Sequence, residues 1–208
     1  MKNCRLWMMR LKTLLELVAI IHKVIKELLK NMLILCGTHG TSVSRAEKIK
    51  NEGFRLFPGR RGTGTYFWRK GEYSRLLSVA WWDQCCKRGI YGNDKHQKCA
   101  VIYAEFHIRN EEYCDISTFE VKERIAKIIE SKQIDKKNPK KLAALYDYAI
   151  ALFEKKNNVR LKVVESLVSV PKSKICDRYP LIALGYPHCY AVRVPDCITI
   201  KFCEENAQ

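Results

Sequence analysis

The chain has 208 residues, 47% of them hydrophobic, which suits one folded domain with an added element and excludes both a disordered chain and two full domains. Its 38 Lys and Arg against 22 Asp and Glu leave a formal net charge of +16, spread along the chain and not gathered in a tail. That balance implies an anionic partner, with nucleic acid ahead of an acidic protein or a membrane surface.

Taken in chain order, residues 1–32 predict an amphipathic helix: Leu11, Leu14, Leu15, Val18, Ile21, Val24, Ile25 and Leu28 recur at helical spacing. Arg10, Lys12, Glu16, Lys23, Lys26 and Glu27 interrupt it, so no uncharged run approaches the roughly 18 residues of a transmembrane segment. Such a helix packs on the domain, lies on a basic-seeking membrane surface, or docks a protein partner. The run Met32-Leu33-Ile34-Leu35-Cys36 reads as a buried strand ending near Thr38-His39-Gly40-Thr41, where backbone amides become free. Ala46, Ile49 and Phe54 share one helical face closed by Gly53 as a C-cap. Gly62-Thr63-Gly64-Thr65-Tyr66-Phe67-Trp68 then resumes as a strand.

A loop over 69–73 precedes a helix over 74–87, and the polar stretch 89–98 leads into the clearest strand, 99–108. Two helical segments, 121–132 and 140–156, form an insertion at about 119–158. Strands are expected again around 159–165, 189–194 and 197–202. The ten cysteines fall inside apolar runs, as in Leu35-Cys36 and Cys99-Ala100-Val101, and read as reduced thiols. Adjacent Cys85-Cys86 and the lack of paired CxxC spacing argue against a structural metal. The expectation is an α+β fold with a mixed or antiparallel sheet over 33–203, in a cytoplasmic protein.

In order and spacing, His39-Gly40-Thr41, Gly53-Phe54 and Gly62-Thr63-Gly64-Thr65-Tyr66-Phe67 resemble the ADP-ribosyltransferase superfamily, on the branch shared by diphtheria-type toxins and poly(ADP-ribose) polymerases. The resemblance covers roughly residues 33–203 and is strong to about residue 115. It implies a split sheet with flanking helices and NAD as substrate, with no metal. It also implies a set of roles: His39 on a ribose hydroxyl, the Gly40 backbone on the nicotinamide amide, Tyr66 stacked on the pyridine ring, Thr41 as a supporting hydroxyl and Gly64 in the dinucleotide-binding segment. His39 and Tyr66 should face each other across a space for the pyridine end.

The family's third position, a glutamate on a late strand, falls on Cys189 after His188. Cysteine is a weak hydrogen-bonding group with no charge unless its pKa is lowered. Glu165, and less directly Glu105, are the carboxylates that could replace it. The implied function is cleavage of NAD and transfer of ADP-ribose to a macromolecule, nucleic acid first, as a toxin or phage-defence effector. Arg45, Lys48, Arg55, Arg60, Arg61, Arg69 and Lys70 cluster in sequence around the segments that would guide phosphates. The alternatives are an inactive relative that senses or scaffolds NAD, ADP-ribose or nucleic acid, and a plain RNA-binding protein stacking bases on Trp68, Tyr73, Trp81 and Trp82.

Overall fold

The computed structural model describes residues 31–131, 138–178 and 186–207. The helix expected over 1–32 lies almost wholly outside them. The chain divides into two units, Met1–Leu33 and Ile34–Gln208. No described helix is long and apolar enough to cross a membrane.

The second unit is α+β. Its strands are β1 (Met32–Ser42), β2 (Phe57–Gly59), β3 (Gly62–Arg69), β4 (Cys99–Arg109), β5 (Tyr113–Asp115), β6 (Val163–Leu167), β7 (His188–Val192) and β8 (Ile198–Glu205). They form a sheet in the order β5-β6-β7-β3-β1-β4-β8, with β2 paired to β3. The β1–β3, β2–β3, β3–β7, β4–β8 and β6–β7 ladders are antiparallel, whereas β5 and β6 run parallel. A parallel neighbour cannot be reached by a hairpin, and the helical insertion supplies the crossover between β5 and β6.

Among this unit's described residues are the α-helices α1 (Val43–Glu52), α2 (Ser74–Lys87), α3 (Phe119–Ser131) and α4 (Pro139–Asn157). Their ends follow local chemistry. Ser42 caps α1 by accepting from the Arg45 amide, and Gly53 closes it at φ 79°, its N–H on the Ile49 carbonyl. Asn138 caps α4, which ends on Asn158 in the left-handed conformation. The core is built on β4, where Ala100, Val101, Ile102 and Phe106 are fully buried, and on Phe67 beside it. Each such large apolar side chain contributes about 1.5–3 kcal/mol. Helix α2 covers one face of the sheet, packing Leu77 and Ala80 on Trp68 and Cys189, and Val79 on Cys99 and Val101. Through Ile150, α4 covers Val164 farther along the sheet.

Candidate functional site

The site begins where the sheet splits. Strand β1 runs to Ser42, yet its ladder with β3 holds only Gly37–Arg69 and Thr38–Trp68 among the described residues. The Cys36 carbonyl accepts from the Lys70 N–H at 2.9 Å, so backbone alternation turns residues 36, 38 and 40 toward β3. By Gly40 that neighbour has diverged, and the Gly40 amide and carbonyl face the gap. Gly40 is held there from below: an added Cβ would stand 1.9 Å from the Ser78 carbonyl oxygen of α2. Thr38 Oγ1 donates to the Ser74 carbonyl at 2.8 Å and accepts from Ser78 Oγ at 2.9 Å, tying the same strand to the same helix.

His39 bridges the gap. Its Nδ1 lies 2.8 Å from the Tyr66 carbonyl oxygen. A carbonyl only accepts, so Nδ1 carries the proton and Nε2 is left with a lone pair. Edge-on contact with Phe54 at 5.6 Å and a tilted contact with Phe67 at 5.5 Å fix the ring plane. Burial lowers the imidazole pKa, with the Tyr66 carbonyl opposing, which favours the neutral ring.

Tyr66 is held as firmly. Its ring lies on Gly59, where a Cβ would come within 2.4 Å of it. The hydroxyl donates to the Gly62 carbonyl at 2.5 Å and accepts the Arg61 N–H at 3.2 Å. Burial raises the phenol pKa, so it stays protonated. Arg61 in turn donates to the Leu167 carbonyl at 3.3 Å and stacks over Tyr146 at 5.2 Å.

One expectation is corrected: the imidazole and the phenol do not face each other. Tyr66 and Phe67 are consecutive in β3 and point to opposite faces; the His39 ring packs on Phe67, whereas Tyr66 packs with the Trp68 and Cys189 cluster. The two residues meet through the Tyr66 backbone carbonyl at the split.

The third position is also corrected. Cys189 pairs opposite Trp68, on the Tyr66 face, but it is buried and burial pushes its thiol up to about 12. A protonated thiol supplies no charge. Glu165 pairs opposite Tyr190, which turns it to the other face. There its carboxylate is engaged by Arg69 at 2.9 Å and by the Tyr113 hydroxyl at 2.5 Å, so it does not reach Tyr66. Thr41 is buried beside Tyr91, and Gly64 serves close strand packing, since a Cβ there would stand 3.0 Å from the Val192 carbonyl. Glu105 sits near His107 and Lys201, each 3.4 Å away.

The proposed basic rim is partly neutralised, because Arg45 pairs with Asp94, Lys48 and Arg55 with Glu52, and Arg69 with Glu165. Sequence reasoning missed Ser166. Its hydroxyl is buried with no hydrogen-bond partner among the described residues, directly across from Cys189 on the Tyr66 side of the sheet. Strand alternation in Val163-Val164-Glu165-Ser166-Leu167 already places Ser166 and Glu165 on opposite faces. Among the described residues no three His, Cys, Asp or Glu side chains are grouped to hold a metal ion.

No family model and no curated protein matches the chain. Among solved structures it is similar to the crystal structure of the M.tuberculosis MbcT-MbcA toxin-antitoxin complex, at 10% identity over 82% of each chain. The TM-score is 0.38, a likeness that carries no argument about this chain's fold or function.

Proposed function

We propose that the protein is an ADP-ribosyltransferase that consumes NAD and modifies a macromolecule, with nucleic acid as the acceptor class its charge favours. The observation that carries this reading is the bond from His39 Nδ1 to the Tyr66 carbonyl at the split. It leaves Nε2 as an acceptor for a ribose hydroxyl, one residue before the Gly40 amide and carbonyl, a donor and acceptor pair suited to a planar carboxamide. In the reaction the glycosidic C–N bond breaks, nicotinamide leaves with the bonding electrons, and ribose C1′ bonds to an acceptor atom that gives its proton to solvent. His39 and Gly40 would orient the dinucleotide, with the Tyr66 backbone carbonyl holding the imidazole in place.

At the third position the polar atoms are Ser166 Oγ and the Cys189 thiol, dipoles without charge, where a carboxylate would stabilise an oxocarbenium-like centre. Slow turnover follows. The same observation supports a second reading, an inactive relative that binds NAD or ADP-ribose without cleaving it. Incubation with labelled NAD and RNA, DNA or protein separates them. Nicotinamide release with label in the polymer, abolished by H39A, is the transferase outcome; saturable NAD binding with neither is the sensor outcome, and no NAD binding refutes both. A transferase of this kind would act in cells as a toxin or phage-defence effector, visible as growth arrest on expression that H39A relieves.

A further inference from the structure

On the face of the sheet away from Tyr66, Glu165 is the most enclosed charged side chain of the cluster it organises, 2% exposed against 55% for Arg69 and 37% for His188. Tyr113 Oη donates to Oε2, while Arg69 Nη1 at 2.9 Å and His188 Nδ1 at 2.5 Å converge on Oε1. Taking a carboxylate out of water requires such donors. The His188 contact is short but lacks the alignment of a regular hydrogen bond, and Nδ1 is itself buried. A ring proton placed on Nδ1 faces that anionic oxygen, which leaves the Nε2 lone pair as the ring's acceptor. Arg69 spends one N–H on Glu165 and keeps further donors on an exposed guanidinium. The rim thus offers one acceptor beside a cationic donor set. Tyr186, two residues before His188, is 65% exposed.

We infer that Arg69 and His188, positioned by Glu165, form a recognition site for the ribose-phosphate backbone of single-stranded RNA. Arg69 takes the phosphate, His188 Nε2 accepts the adjacent 2′-hydroxyl, and Tyr186 offers a face on which a base stacks. DNA has the phosphate but no 2′-hydroxyl, so the pair discriminates between the two. This inference deepens the nucleic-acid part of the proposed function and does not depend on NAD.

The test is fluorescence anisotropy with a labelled RNA of about twelve nucleotides, the DNA of the same sequence, and its 2′-O-methyl RNA counterpart. Wild type should bind RNA about fivefold more tightly than DNA, and the 2′-O-methyl strand should bind like DNA, because it has lost the donated proton. H188A should erase the RNA preference. R69A should weaken RNA and DNA alike by about tenfold and lower the salt-dependence slope by about one. Equal binding of RNA and DNA by wild type, or 2′-O-methyl RNA binding as tightly as RNA, overturns the site without any substitution that could disturb folding. An unchanged RNA-to-DNA ratio in folded H188A overturns it too. Nicotinamide release is measured separately and without RNA in wild type, and its absence there counts against the NAD reading alone.

Discussion

His39 uses its two nitrogens for different tasks, and two substitutions separate them. Asparagine places an amide N–H near the position of Nδ1 and can still donate to the Tyr66 carbonyl, but it has nothing at Nε2. Glutamine reaches the Nε2 position and leaves that carbonyl unmade. Losing the ring contacts to Phe54 and Phe67 costs H39N about 0.5–1.5 kcal/mol. H39Q loses them as well, and stranding the buried acceptor adds about 1–3 kcal/mol. For a domain of this size, 1 kcal/mol corresponds to roughly 2–4 °C in Tm. Scanning fluorimetry should therefore rank wild type above H39N and H39N above H39Q. Nicotinamide release should rank differently: H39N should fall by at least about tenfold in kcat/KM, the worth of one hydrogen bond to a hydroxyl, with H39Q retaining more. An H39N protein as active as wild type would show that Nε2 holds no ligand. H39Q melting above H39N would show that the Tyr66 bond is not what fixes the ring.

Three other outcomes follow from the same geometry. Because burial lowers the His39 pKa, the unfolded chain takes up a proton that the folded ring refuses. Stability is then complete above the ordinary imidazole value of about 6.5 and declines as pH falls below it; urea titrations should show that decline in wild type and a flatter dependence in H39N. G40A should lower stability by about 1–3 kcal/mol, since the new methyl meets the Ser78 backbone oxygen, which cannot rotate away. A Tm within about one degree of wild type would refute that packing. C189A should keep nicotinamide release within about twofold, the buried thiol being protonated, whereas S166A should lose several-fold activity with Tm unchanged or raised, because it removes an unsatisfied buried hydroxyl. Equal activity of S166A and wild type would assign Ser166 no part in the site.

Much of the architecture was legible without coordinates. The helix expected over 74–87 coincides with α2, Gly53 closes α1 as the sequence implies, and the insertion at about 119–158 holds α3 and α4. These features depend on capping chemistry and on residues a few positions apart, so the chain carries them locally. The glycine at position 40 was visible as well, but its reason, the Ser78 carbonyl beneath it, was not.

What tertiary structure alone decided is which groups share a face and which share a dielectric. His39 and Tyr66 looked like opposed walls because each begins or ends a motif, yet pleat alternation sends their side chains apart and joins them through a carbonyl 27 residues away in sequence. Glu165 and Cys189 both stood near the third position in the linear order. The β6–β7 register turned one toward Arg69, 96 residues distant, and sealed the other as a protonated thiol. Composition and periodicity specify what each segment prefers to be. Register and burial arise only when segments far apart in the chain pair, and it is those that set charge, proton position and reach.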